Sequence, residues 1–210
     1  CEGCGDCGVV SNCVAIQPLE TEFGRKRRID QSACNKDFTC VKGFCPSFVT
    51  VKGAKLKKHV AQPGADDTTL PEPMVPPLDR SFAILVAGVG GTGVITVAAL
   101  LGMAAHLEGK GVAGLDQIGM AQKGGAVTSH LKLAPTPGSI GAPRLAPGTA
   151  DLVLGCDMMV TAGKGAVPVM AADRSRVVVN TAEPMTGAFT RDPDLQFPTH
   201  RLMADIQGAA

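Results

Sequence analysis

Phe82-Ala83-Ile84-Leu85-Val86-Ala87-Gly88-Val89-Gly90-Gly91-Thr92-Gly93 decides the fold class of this chain. Six consecutive apolar residues running into glycines suit a strand buried on both faces, as in a parallel sheet. The glycines allow a tight turn straight into a helix. Thr92 to Leu107 has helical composition, and Gly109 and Gly111 stop it. Working outward, residues 112–116, 126–133, 151–154 and 176–180 read as further strands, and 156–171 as a helix of small residues weakened by Gly163, Gly165 and Pro168. Such alternation implies an α/β domain over residues 81–210, with a Rossmann-like, mainly parallel sheet.

The glycine turn satisfies Gly-x-Gly-x-x-Gly, and Asp116 lies 23 residues beyond Gly93. Taken literally, that places a pyrophosphate on the helix N-terminus and Asp116 on a ribose hydroxyl. A turn that needs glycine for packing alone fits the same residues, as does an anion site for some other cofactor's phosphate. A second segment, Gly119-Met120-Ala121-Gln122-Lys123-Gly124-Gly125, joins the second and third strands. Its glycines and single cation suggest backbone placed against an interface or ligand; a long hairpin is the plainer alternative. The candidate cofactor-binding residues are Gly88, Gly90, Gly91, Thr92, Gly93, Gln122, Lys123, Gly124 and Gly125. No residue stands out as a catalytic acid or base.

Composition changes ahead of the strand. Seven of the eight cysteines fall within residues 1–45, as Cys1-x2-Cys4-x2-Cys7-x5-Cys13 and Cys34-x5-Cys40-x4-Cys45-Pro46. Cysteines at two-residue gaps can wrap one side of an iron–sulfur cubane, with Gly3, Gly5 and Gly8 permitting tight turns. A distant Cys-Pro commonly supplies the fourth ligand, so Cys1, Cys4, Cys7 and Cys45 form one candidate set. Cys13, Cys34 and Cys40 remain, either for a second cluster completed from outside or as structural thiols. Structural zinc and a disulfide framework are the rival readings. Cys156 follows an apolar strand and reads as a buried free thiol. Residues 1–60 therefore form an iron–sulfur segment, and the proline-rich residues 61–80 a linker. The run Arg25-Lys26-Arg27-Arg28 is either a solvated face or a group of cations near the cluster.

The whole 210-residue composition narrows the classes. Net charge is +1, and Tyr and Trp are absent, so neither a basic surface nor base-stacking platforms point to nucleic acid. No apolar run reaches the roughly 18 residues of a membrane-spanning helix, and no signal peptide is visible, so the expected location is cytoplasmic. Gly is 26 of 210, above the usual ~7%, and much of the excess lies at strand ends. The chain begins at a motif cysteine, which suggests a fragment.

Cys1-Glu2-Gly3-Cys4-Gly5-Asp6-Cys7, residues 18–27 and Cys34-Asn35-Lys36-Asp37-Phe38 resemble the ferredoxin-like segment of fused indolepyruvate ferredoxin oxidoreductases. Residues 88–94, 119–125 and Asp151-Leu152-Val153-Leu154-Gly155 resemble the gamma domain of 2-oxoacid:ferredoxin oxidoreductases, in the same order as in the fused enzyme. The resemblance implies a thiamine-diphosphate enzyme, with magnesium, that oxidatively decarboxylates aryl 2-oxoacids such as indolepyruvate. Electrons would pass through [4Fe–4S] to ferredoxin, and coenzyme A would take the acyl group. It also implies that the thiamine-binding modules lie outside this chain, that the gamma domain is cut short at its C-terminus, and that the whole enzyme is a homo-oligomer. Relatives often carry Gln at the position of Thr92 and Arg at that of Lys123, where lysine offers a point charge instead of a fork. An electron-transfer and docking module without catalysis, an NAD-linked iron–sulfur reductase and a zinc-knuckle protein are the alternatives.

Overall fold

The computed structural model describes residues 1–31, 33–49, 51–55, 71–75, 77–119, 124–183, 185–192 and 194–210. Most of the proposed linker, at 61–70 and 76, lies outside them, as do Gln122 and Lys123. The chain forms two compact units. One is Cys1–Pro76 together with Met185–Gln196; the other is Pro77–Pro184 together with Phe197–Ala210.

The first unit has little regular structure. Helix α1 (Asp6–Ser11) precedes an antiparallel hairpin of β1 (Ile16–Thr21) and β2 (Gly24–Ile29), and a 3-10 turn spans Thr39–Lys42. Gly43 lies directly against Asp6 and Val10, so this turn packs on α1. Among the described residues, the buried apolar side chains here are Cys7, Ala15, Ile16 and Phe189. So small a core, with one hairpin, is below what folds a chain of this length without a staple.

The second unit is built on β3 (Phe82–Val89), α2 (Val94–Leu107), β4 (Gly111–Ile118), β5 (Ala126–Ala134), β6 (Leu152–Gly155), α3 (Met158–Thr161), β7 (Arg176–Val179) and α4 (Thr199–Gln207). The sheet order is β4-β5-β3-β6-β7. β3, β6 and β7 run parallel, whereas β5 is antiparallel to both β3 and β4. The α/β architecture and mainly parallel sheet are the expected ones, with β5 alone running against the other four strands. The reason is loop length. Residues 119–125 are too few for a crossover, so β5 must fold back along β4. The helix expected over 156–171 shrinks to α3 and a 3-10 turn at Val167–Val169, as Gly163, Gly165 and Pro168 dictate.

β3 is buried on both faces. Ala83, Leu85 and Ala87 pack with Leu145, Val153, Val169 and Met170, while Ile84 and Val86 pack with Val94, Ala98, Val127 and Leu131. Leu85, Val86 and Val153 are fully enclosed, each contributing roughly 1.5–3 kcal/mol. Helix α2 covers the second of these faces and turns Leu100, Met103 and Leu107 outward to solvent. Among the described residues, no helix is long and apolar enough to cross a membrane.

Two buried polar groups fasten the sheet. Asp151, just before β6, accepts Ala83 N–H at 2.7 Å, Arg174 Nε at 2.8 Å and Arg80 Nη2 at 2.9 Å. Burial pushes its carboxyl up, but the two arginines and the amide outweigh that and bring it down to about 2. His130 is buried in β5. Its Nδ1 accepts Leu145 N–H at 3.2 Å, and Nε2 lies 3.3 Å from Gln117 Oε1, which fits a neutral ring protonated on Nε2. Burial, aided by Arg144 and Lys132, pushes it below the usual histidine value of 6.5.

Both groups are depressed, so each stabilises the fold above its unfolded value and stops doing so as pH falls through its folded value. Stability should therefore drop in two steps: one below pH 6.5 from His130, and one between about pH 3.8 and 2 from Asp151. The second amounts to about 2 kcal/mol. Urea unfolding from pH 8 to 2 tests this, with Asp151→Asn expected to lower the midpoint at pH 7 and flatten the lower step.

Candidate functional site

Two regions carry the candidate residues, one in each unit. In the first unit, all seven clustered cysteines are free thiols. Packing of the Thr39–Lys42 turn against α1 sorts six of the seven into two groups. Cys7 is pushed up by burial and then by the neighbouring Cys45 and Cys4 thiols, with Gly8 N–H and Arg27 pulling the other way. Cys40 is pushed up by burial and then by Cys13, Cys34 and Asp37, against its own amide. The sets are thus Cys4, Cys7 and Cys45, with Cys1 nearby in sequence, and Cys13, Cys34 and Cys40. Among the described residues, no three metal-binding side chains converge closely enough to share one ion.

The backbone around these thiols is unusual. Gly3 N–H points at Cys1 Sγ and Lys36 N–H at Cys34 Sγ, each at 3.4 Å. Lys36 and Phe38 adopt positive φ (60° and 57°), uncommon for residues with a Cβ and concentrated at functional sites. Gly3 sits at φ 80° with Arg25 O so near that an added Cβ would lie 2.5 Å from it, so glycine is required there. Amides aimed at sulfur and left-handed turns that turn N–H groups inward are what a sulfur-ligated cluster uses. In donor chemistry and backbone orientation, these residues fit an iron–sulfur group.

The basic run is sorted by strand alternation. Arg25 pairs with Glu20 and donates to Leu195 O at 3.1 Å, and Arg27 stacks on the Phe189 ring at 4.9 Å. Arg28 bonds Gln17 on the other side. Of these cations, Arg27 acts on the Cys7 thiol, and the Lys26 side chain lies against Gly3.

In the second unit, the carboxyl ends of β3, β6 and β7 converge. α2 and α3 leave β3 and β6 on opposite faces of the sheet, which makes this a topological switch point, the usual ligand crevice of such sheets. Gly88, Gly90, Gly91, Thr92 and Gly93 form the turn here. Thr92 Oγ1 and N both bond Val89 O, at 2.6 and 3.1 Å, and Gly93 enters α2 at φ 89°. Gly90 N–H donates to Gly125 O at 2.8 Å, so the two glycine segments meet, and Gly119 and Gly124 flank the hairpin that carries the second. Asp116 is not brought to the turn. β5 intervenes between β4 and β3, and Ser129 Oγ holds Asp116 Oδ1 at 2.5 Å. A dinucleotide fold sets its second strand beside the first, so the ribose role expected for Asp116 loses its geometry.

The model of the family described as Pyruvate ferredoxin/flavodoxin oxidoreductase matches residues 83–202. The chain belongs to this family. It is similar to indolepyruvate oxidoreductase subunit IorB of Methanothermobacter thermautotrophicus, with 31% identity over 130 residues, 62% of this chain and 63% of that one. It is also similar to subunit IorB of Archaeoglobus fulgidus, with 37% identity over 71 residues, 34% of this chain and 33% of the other. The chain thus spans less than two thirds of the length of these relatives. Among solved structures, pyruvate oxidoreductase subunit PORC of Thermotoga maritima aligns with a TM-score of 0.39 and 21% identity, over 54% of this chain and 56% of that one. A keto/oxoacid ferredoxin oxidoreductase gamma subunit of Geobacter sulfurreducens aligns at 0.34 and 21%, over 46% and 50%.

Several residues at this crevice escaped the sequence reading. Asp157, almost wholly buried, accepts Val160 N–H at 2.8 Å and Val89 N–H at 3.2 Å, tying the end of β6 to the end of β3. Its signal was legible: an aspartate directly between a strand and an apolar helix start is a helix cap. Asn180 follows β7 and donates to Cys156 O at 3.3 Å. Cys156 is not deeply buried but abuts the turn, where burial pushes its thiol up and Thr92 pulls it down. Gly88 is hemmed in: an added Cβ would lie 2.6 Å from Thr92 Oγ1 and 2.8 Å from Cys156 Cβ. Gly88→Ala should cost about 1–3 kcal/mol of stability. Gly138→Ala, at an open position, should leave thermal melting unchanged.

Proposed function

We propose that this chain is the electron-relay and gamma-type portion of a 2-oxoacid:ferredoxin oxidoreductase. The first unit holds iron–sulfur, and the second organises a cofactor or partner at the switch-point crevice. The reaction is oxidative decarboxylation of an aryl 2-oxoacid such as indolepyruvate, with coenzyme A as acyl acceptor and ferredoxin as electron acceptor. Thiamine diphosphate and magnesium belong to modules outside these residues, and the working enzyme is cytoplasmic and oligomeric. The observation that carries this reading is the pair of thiol groups with amides directed at sulfur, in a chain of this family.

Cys1, Cys4, Cys7 and Cys45 would hold one [4Fe–4S] cluster. Cys13, Cys34 and Cys40 would hold a second, with its fourth ligand from elsewhere. Such a group supplies one-electron acceptance and release when bound. This chain's residues do the rest. Gly3 and Gly5 let the loop close, the Gly3 and Lys36 amides donate to sulfur, and Arg27 supplies positive charge. The turn of Gly88, Gly90, Gly91, Thr92 and Gly93, with Gln122, Lys123, Gly124 and Gly125, would frame an anionic group, the Gly91 and Gly93 amides and the Lys123 cation being the donors offered to it.

Iron and sulfide analysis of anaerobically purified chain, with EPR after dithionite, tests the reading. One cluster should give about four iron per chain and two about eight, with a reduced-state signal. Stoichiometric zinc without sulfide would overturn it. Adding an aryl 2-oxoacid, thiamine diphosphate and coenzyme A should reduce the centre only when the thiamine-binding modules are present.

A further inference from the structure

Helix α2 is apolar on every side. Its 14 residues, Val94–Leu107, include no Asp, Glu, Lys or Arg. A helix of that kind belongs in an interior, yet the sheet covers one side of it. Among the described residues of the second unit, six large apolar side chains are exposed, and five belong to this region: Ile95, Leu100, Met103 and Leu107 on α2, and Ile118 at the end of β4. Ile118 stands opposite Val127, on the face of the sheet that α2 covers. The five expose roughly 600 Å², as much as the largest patch of an ordinary monomer and most of the ~800 Å² per partner that a specific interface buries. Beside α2 runs a sheet edge. β4 has no strand partner on its outer side among the described residues, and its register with β5 is unbroken from Gly111 to Ile118. Edge strands are ordinarily blunted by lysine, proline or a bulge, and β4 has none of these. Its one charged residue, Asp116, is held by Ser129.

We propose that the outer face of α2 and the β4 edge form a two-fold interface between two copies of this chain. The inference stands apart from the iron–sulfur reading above. A two-fold axis sets each patch against itself, so a charged patch repels its copy and a charge-free one does not. A different partner is ordinarily steered and held in register by complementary charges, and α2 offers it none. Antiparallel pairing of β4 with its copy satisfies the open backbone groups and extends the sheet from five strands to ten. With the axis at Gly114, Asp116 faces the copy's Val112, so no like charges meet. That axis keeps both α2 helices on one face of the sheet, side by side and antiparallel. A Cβ added at Gly102 would lie 3.7 Å from Val112 and 3.8 Å from Leu131, and Leu131 stands opposite Gly114. The middle of α2 is therefore level with the axis. Met103 then falls beside the copy's Ala99, and Ile95 towards the copy's Leu107.

The test is sedimentation equilibrium of the anaerobically purified full chain at about 100 μM, above the micromolar dissociation constants of weak specific interfaces. The interface predicts twice the chain mass of 21.5 kDa. Met103→Glu and Met103→Lys each place like charges beside the axis, so each alone should weaken association by about tenfold or more. An equimolar mixture of the two should recover the dimer, which chains that had failed to fold would not do. Photoreactive benzoylphenylalanine in place of Met103, in a mixture of plain and isotope-labelled chains, should cross-link α2 of one copy to α2 of the other. A monomeric wild type would overturn the proposal and assign the face to a different polypeptide. A dimer indifferent to both substitutions, a mixture that stays monomeric, or cross-links from α2 to other parts of the copy overturn it as well. A wild-type dimer with neither iron nor sulfide supports the interface and overturns the cluster reading alone, whereas an iron-loaded monomer does the reverse.

Discussion

Burial of β3 on both faces governs the second unit. A strand enclosed by apolar neighbours above and below cannot carry a polar side chain, so every polar duty moves to its ends. Two aspartates on either side of β6 take those duties. Asp151 accepts Ala83 N–H where β3 begins, and Asp157 accepts Val89 N–H where it ends. β6 is thus clamped to β3 at both ends by carboxylates, beyond the ladder hydrogen bonds between them. The crevice exists because the second clamp holds the start of α3 against the glycine turn.

The first unit solves the opposite problem. Its apolar interior is a few side chains, so shape is set by close backbone approach, as at Gly3 against Arg25, and by polar pairing along the hairpin. Ligation of thiols releases folding free energy of its own, which is how small metal-bearing domains commonly compensate for a missing core. The left-handed Lys36 and Phe38 are consistent with that economy: strained backbone persists where surrounding bonds over-determine it.

What could be read from the sequence follows the range of the forces involved. β3, α2, β6 and β7 were legible because apolar run and helical composition are local signals. Pairing partners were not, since the insertion of β5 between β4 and β3 depends on where the hairpin docks, although the seven residues of its loop already forbade a crossover. The helix expected over 156–171 stops at Thr161 because Gly163, Gly165 and Pro168 each favour a break over continued helix. Cysteine spacing gave a candidate donor set, but the grouping of Cys4, Cys7 and Cys45 apart from Cys13, Cys34 and Cys40 needed the turn on α1. The return of residues 185–196 to the first unit had no sequence signal, because the contact between Arg25 and Leu195 spans 170 residues.

The chain crosses between its two units three times, near residues 76, 184 and 196. Units joined by one crossing can be cut apart, shuffled or replaced by a homologue through a single genetic joint. Here a joint near residue 76 leaves Phe189 with the wrong partner, and a replacement would need matched exchanges on both sides of residues 185–196. Recombination in this part of the gene should therefore have moved the two units together, and expression trials that trim at the proline-rich segment would remove part of the first unit along with the second.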